Sequence, residues 1–146
     1  MAISLRENLC VAERLPRSDS VLMGRAELLK RPDRDLLEAV LVRGQSVAAL
    51  ARIMGADPRS LRVRVRRLGR RLTSRRFLDA ARALPYLGKE EAELARLRFC
   101  QGATLRELCD HFNVSWHCLR RRLDQVSAQV ATVRRMTGLD RRAEGT

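Results

Sequence analysis

The stretch GATLRELCDHFNVSWHCLRRRL, residues 102–123, decides how this chain is read, because it supports two different structures. Its Cys109, His111, His117 and Cys118 are residue types that bind zinc. Its order of cap, apolar face, turn, cap and basic face is that of two helices joined by a tight turn. The second reading uses every residue type in the stretch. Thr104 can cap a first helix with its hydroxyl, and Glu107, three residues on, completes a capping box. Leu105, Leu108, Cys109 and Phe112 recur at helical spacing and are expected to face a core. Asn113 is one of the few residue types that tolerate a left-handed backbone, which a sharp turn requires. Ser115 can cap the next helix, whose inward stripe is Leu119, Leu123, Val126 and Val130. The side turned outward is largely arginine.

The same pattern occurs earlier. Shifted by 58 residues, RGQSVAALARIMGADPRSLRVRVRRL (43–68) lies over QGATLRELCDHFNVSWHCLRRRLDQV (101–126) without a gap. Ser46 meets Thr104, and the apolar Val47, Leu50, Ala51 and Met54 meet Leu105, Leu108, Cys109 and Phe112. Gly55 meets Asn113 at the turn, and the capping Asp57 meets Ser115. Pro58 then takes the first helical position, where its missing amide hydrogen costs nothing. Leu61, Val65, Leu68 and Leu72 meet the second inward stripe. The alignment also removes the case for zinc. Cys100, Cys109 and Cys118 fall on Val42, Ala51 and Ser60, and His111 falls on Ile53. Their nine-residue separation is not the compact spacing of a zinc site, so no metal and no cofactor is expected.

Thirty Lys and Arg against seventeen Asp and Glu give a formal net charge of +13, and this bias selects a polyanion as partner. Aromatic residues make up only 3% of the 146, so a core must be built from Leu, Val and Ala. No alternation of β-branched residues between turns is found, and Leu, Ala, Arg and Glu recur at helical spacing throughout. The fold class expected is all-α, with two tandem three-helix helix-turn-helix units and short N-terminal helices. The expected boundaries are an N-terminal helical extension over 1–32, with helices near 3–15 and 20–30, and a first unit over 33–74. A connector helix follows over 75–86, stopped at Pro85, then a second unit over 87–137 and a disordered polar tail over 138–146. No apolar run approaches the length of a membrane span, and the first residues lack a secretory pattern. The expected place is the cytoplasm, on the nucleoid, with reduced thiols.

A recognition helix meets base edges with its first turns while neighbouring basic residues hold phosphates. On that rule the base-facing residues are Arg59, Ser60, Arg62, Val63 and Arg66 in the first unit and Trp116, His117, Arg120 and Arg121 in the second. The phosphate-facing set is Ser46, Thr104, Arg70, Arg71, Arg75 and Arg76. No phosphate loop, nucleophile elbow or paired-carboxylate motif is present, so no enzyme is expected.

The stretch ALPYLGKEEAELARLRFCQGATLRELCDHFNVSWHCLRRRLDQV (83–126) resembles the promoter-recognition domain, the fourth conserved region, of bacterial sigma factors. The shared features are the initial Leu-Pro, a Glu-rich helix running into Leu-Arg-Phe, a break at Gly102, the Arg-Glu-Leu step and a capped helix from Ser115. The resemblance implies that Trp116, His117 and Arg120 occupy promoter-contacting positions, and it brings RNA polymerase into view as a partner. Residues 1–32 are too short and too poor in aromatics for the polymerase-gripping domain of a sigma factor, so the expectation is a small regulator of transcription. Double-stranded DNA is the expected partner, and a homodimer is compatible with the chain. Three other readings stay open on sequence alone: a non-specific nucleoid-type protein, an RNA-binding protein, and the DNA-binding part of a transposase-like system.

Overall fold

The computed structural model describes the backbone of residues 19–143 and the side chains of residues 22–138. Among the described residues every regular element is helical. The chain divides into two compact units between Ser74 and Arg75. The helix expected near residues 3–15 lies outside the described residues.

The first unit contains α1 (Asp19–Ala26), α2 (Arg31–Leu41), α3 (Val47–Met54) and α4 (Pro58–Thr73). α4 is the central element, and α1, α2 and α3 all pack on it. Its stripe Leu61, Val65, Leu68 and Leu72 is buried, as are Leu22, Ala26, Leu29, Leu36, Leu37, Val40, Leu50 and Ala51 of the same unit. Removing these apolar surfaces from water is the main stabilising term. The region expected as an N-terminal extension therefore contributes a helix to this core. The Arg25 guanidinium donates to the Leu72 carbonyl at 3.2 Å and ties α1 to the end of α4. α2 begins with Pro32 in its first turn, where its missing amide hydrogen costs nothing.

The second unit contains α5 (Arg75–Ala83), a 3-10 turn (Leu84–Tyr86), α6 (Lys89–Ala95), a π-turn (Arg96–Cys100), α7 (Leu105–Phe112) and α8 (Trp116–Ala143). The segment expected as a connector is a core helix of this unit. Phe77, Ala80 and Ala83 of α5 are fully buried, and α5 packs on both α8 and the π-turn. Pro85 stops it as expected, since the chain tightens into the 3-10 turn at Leu84. The tail is a second correction. A helix continues through Gly138 to Ala143, because one glycine in a run of Arg, Leu and Ala weakens a helix without ending it.

The backbone repeats at the 58-residue offset bond by bond. Arg43 N–H donates to the Glu38 carbonyl at 3.1 Å, and Gln101 N–H donates to that of Arg96 at 2.9 Å. Gln45 donates to Ala39, and Ala103 to Leu97, at 3.0 and 2.9 Å. These wide bonds end each preceding helix just before a left-handed glycine, Gly44 with φ 63° or Gly102 with φ 71°. The inward stripes match too, since Leu119, Val126 and Val130 are buried as Leu61, Leu68 and Leu72 are, with Leu123 half-buried.

Candidate nucleic-acid interface

In the first unit the exposed face of α4 is aimed by three backbone devices. The Ser46 hydroxyl accepts the Ala49 N–H at 3.1 Å and starts α3. α3 ends at Gly55, whose φ of 64° reverses the chain, and Ala56 N–H closes the turn on the Ala51 carbonyl at 2.9 Å. The Asp57 carboxylate then accepts both the N–H and the hydroxyl of Ser60, each at 2.9 Å, and starts α4. That backbone bond from Ser60, more than its hydroxyl or the Arg62 charge, holds the Asp57 carboxyl below its ordinary value. A fixed negative charge therefore stands at the tip of α4.

Arg59, Val63, Arg66 and Arg70 follow at i, i+4, i+7 and i+11, so they share the side opposite the buried stripe, and all four are exposed. Arg62 lies on the flank of the same helix and is also exposed. Ser60 is exposed, but its hydroxyl is engaged by Asp57. Arg64 turns inward along the surface. Its Nη2 and Nε meet Asp33 Oδ1 at 2.6 and 3.0 Å and fasten α4 to the first turn of α2. Arg71 is half-buried at the end of the helix. Arg67 is exposed beside Arg66 and Arg70, where the helical step of about 100° per residue places it.

In the second unit Thr104 and Glu107 form a complete capping box. The Thr104 hydroxyl accepts the Glu107 N–H at 3.2 Å, and the Glu107 carboxylate accepts the Thr104 N–H at 2.8 Å. Asn113 takes the left-handed turn with φ 51°, and the Ser115 hydroxyl accepts the Cys118 N–H at 3.3 Å to start α8. At the head of α8 the Arg120 guanidinium carbon lies 5.0 Å from the Trp116 ring centroid. His117 stands edge-on to that ring with centroids 5.5 Å apart. Trp116, His117, Arg120 and Arg121 are all exposed.

Of the residues expected to hold phosphate, Arg70 is exposed on the outward side of α4. Ser46 and Thr104 use their hydroxyls as caps. Arg75 and Arg76 do not prolong the face of α4, because the chain leaves helical geometry at Ser74 and both belong to α5. Arg75 lies 3.9 Å from Asp79, and Arg76 lies 4.8 Å over the Phe99 ring. The expected inward faces of α3 and α7 are buried only at Leu50, Ala51 and Leu108, with Val47, Leu105 and Phe112 half-buried. Met54 is 51% exposed and not in the core, because the chain turns away at Gly55 directly after it. Cys109 is half-buried where its counterpart Ala51 is buried. Cys100 is buried in the π-turn, and His111 Nε2 is 3.0 Å from a Glu93 oxygen. Among the described residues no three of His, Cys, Asp and Glu gather at one point, and no helix is long and apolar enough to cross a membrane.

No family model matches the chain, and neither a curated protein nor a solved structure does.

Proposed function

We propose that this chain is a sequence-specific double-stranded DNA-binding regulator of transcription, built from two helix-turn-helix units whose recognition helices are α4 and α8. The observation that carries the reading is the recurrence, 58 residues apart, of a capped short helix, a left-handed turn and a capped long helix with an exposed basic face. A helix so mounted projects its first turns from the body of the unit, the presentation that a major groove accepts. The charge of +13 supplies the long-range attraction, and arginine supplies a planar fork matched to phosphate and to guanine. The likeness of residues 83–126 to the fourth region of sigma factors supports the same reading, with RNA polymerase as a second partner. Duplex DNA is favoured over RNA because, among the described residues, the exposed rings of Phe, Tyr and Trp are Tyr86 and Trp116 alone, too few for the aromatic stacking surface of single-strand readers.

The test is retention of a random duplex pool by the purified full chain at moderate salt, followed by sequencing. An enriched motif supports the proposal. Uniform retention, or preferential retention of RNA in a matched pool, overturns it.

A further inference from the structure

The two exposed helix faces differ in chemistry although their backbones repeat. α4, PRSLRVRVRRLGRRLT, contains seven arginines and no acidic residue. At its tip, however, Ser60 is occupied by Asp57, and the Asp57 carboxylate presents a negative charge where a groove-bound helix meets base edges. Arg59 and Arg62 are exposed at the head of α4, but they stand beside the Asp57 carboxylate, whose negative charge Arg62 helps to balance, while Arg66, Arg67 and Arg70 are exposed further along. α8 shows the reverse. Its opening stretch WHCLRRRLDQVSAQVA has three arginines and the acidic Asp124, a much weaker phosphate-holding face. Its head instead holds the stack of Arg120 on Trp116 at 5.0 Å, with His117 edge-on. A stacked guanidinium has already lost rotamer freedom, so it gives up less when it forks onto a base edge.

We infer that the two units divide the work: α4 contributes chiefly phosphate contacts through Arg66, Arg67 and Arg70, and α8 carries most of the base discrimination through the Trp116–Arg120 stack. The inference rests on the proposed DNA-binding reading and assigns each face a separate role within it.

The experiment uses the full chain, a duplex enriched from the random pool and a scrambled duplex of the same length, with binding followed by fluorescence anisotropy over a range of salt. For Arg66→Gln/Arg70→Gln the slope of log affinity against log salt becomes shallower by roughly 1.8, about 0.9 for each phosphate no longer neutralised, on both duplexes. The ratio of the two affinities stays within about twofold of wild type. Trp116→Leu keeps every charge, so the slope holds while the ratio falls by about 5- to 100-fold. Arg120→Lys, which also keeps the charge but not the planar fork, lowers the ratio in the same direction. All four side chains are exposed, and circular dichroism verifies the fold. A ratio that collapses in the α4 double variant, or that survives both α8 variants, overturns the inference. Equal wild-type affinity for both duplexes also overturns it, with duplex binding left standing. Absence of duplex binding overturns the reading on which it rests.

Discussion

Replacement of Phe77 tests whether residues 75–83 join two units or build one. Its ring is fully buried, with 0% exposure, in α5 against α8 and the π-turn. Truncation to alanine removes that packing and leaves a cavity, a change that costs about 3–5 kcal/mol in buried sites. A unit of some 70 residues has in all only about 4–11 kcal/mol of stability at the usual value per residue. Phe77→Ala should therefore remove from about a quarter to all of the stability of the second unit. Phe77→Leu keeps most of the volume and should cost about 1 kcal/mol, which moves a urea midpoint by roughly 0.5–1 M at the slope of a small domain. Trp116 is the sole tryptophan and stands in the second unit, so its fluorescence follows that unit while far-ultraviolet circular dichroism follows both. A tryptophan transition within about 0.5 kcal/mol of wild type in Phe77→Ala would refute the placing of α5 in the core and restore it as a connector.

Three further outcomes follow from the caps and turns. Thr104→Ala removes one half of the capping box and should destabilise the second unit by about 1 kcal/mol in the same urea titration. Gly55→Val forces a β-branched residue to φ 64° and should cost about 1–2 kcal/mol in thermal melts, whereas Asn113→Gly, already at a left-handed position, should change stability by only a few tenths. The folded-state pKa of Asp57 lies below its ordinary 3.8, so its contribution to stability is complete above that value and disappears as pH falls through the lower folded one. Asp57→Asn keeps a good cap but removes the titration, and it should flatten the acid limb of stability in circular dichroism melts below about pH 4.

The legible parts of this fold are those written in local chemistry. Ser46, Asp57, Thr104 and Ser115 cap where their hydroxyls and carboxylate indicate, and Gly55 and Asn113 turn where their tolerance of positive φ indicates. Both inward stripes are legible because period and partner agree. Met54 shows the limit of periodicity, which gives the direction of a side chain but not whether anything lies beneath it. Arg64 shows another: nothing local marks it off from its neighbours, and its ion pair with Asp33 joins residues far apart in sequence. α5 reads as a connector from sequence because a short helix before a proline resembles a linker, although Phe77, Ala80 and Ala83 already trace an apolar stripe. The stack of Arg120 on Trp116 is within reach of sequence, since residues four apart on a helix are neighbours.

Whether this chain distinguishes one duplex sequence from another is tested most directly by a ratio of affinities. Anisotropy at about 150 mM salt compares the duplex enriched from a random pool with its scrambled counterpart and with an RNA duplex of the same sequence. A sequence-reading protein should hold the enriched DNA at least about a thousandfold tighter than the scrambled DNA, the lower end for specific readers. A ratio within about tenfold, or equal affinity for the RNA, would contradict that role and leave a basic protein that binds polyanions without reading them.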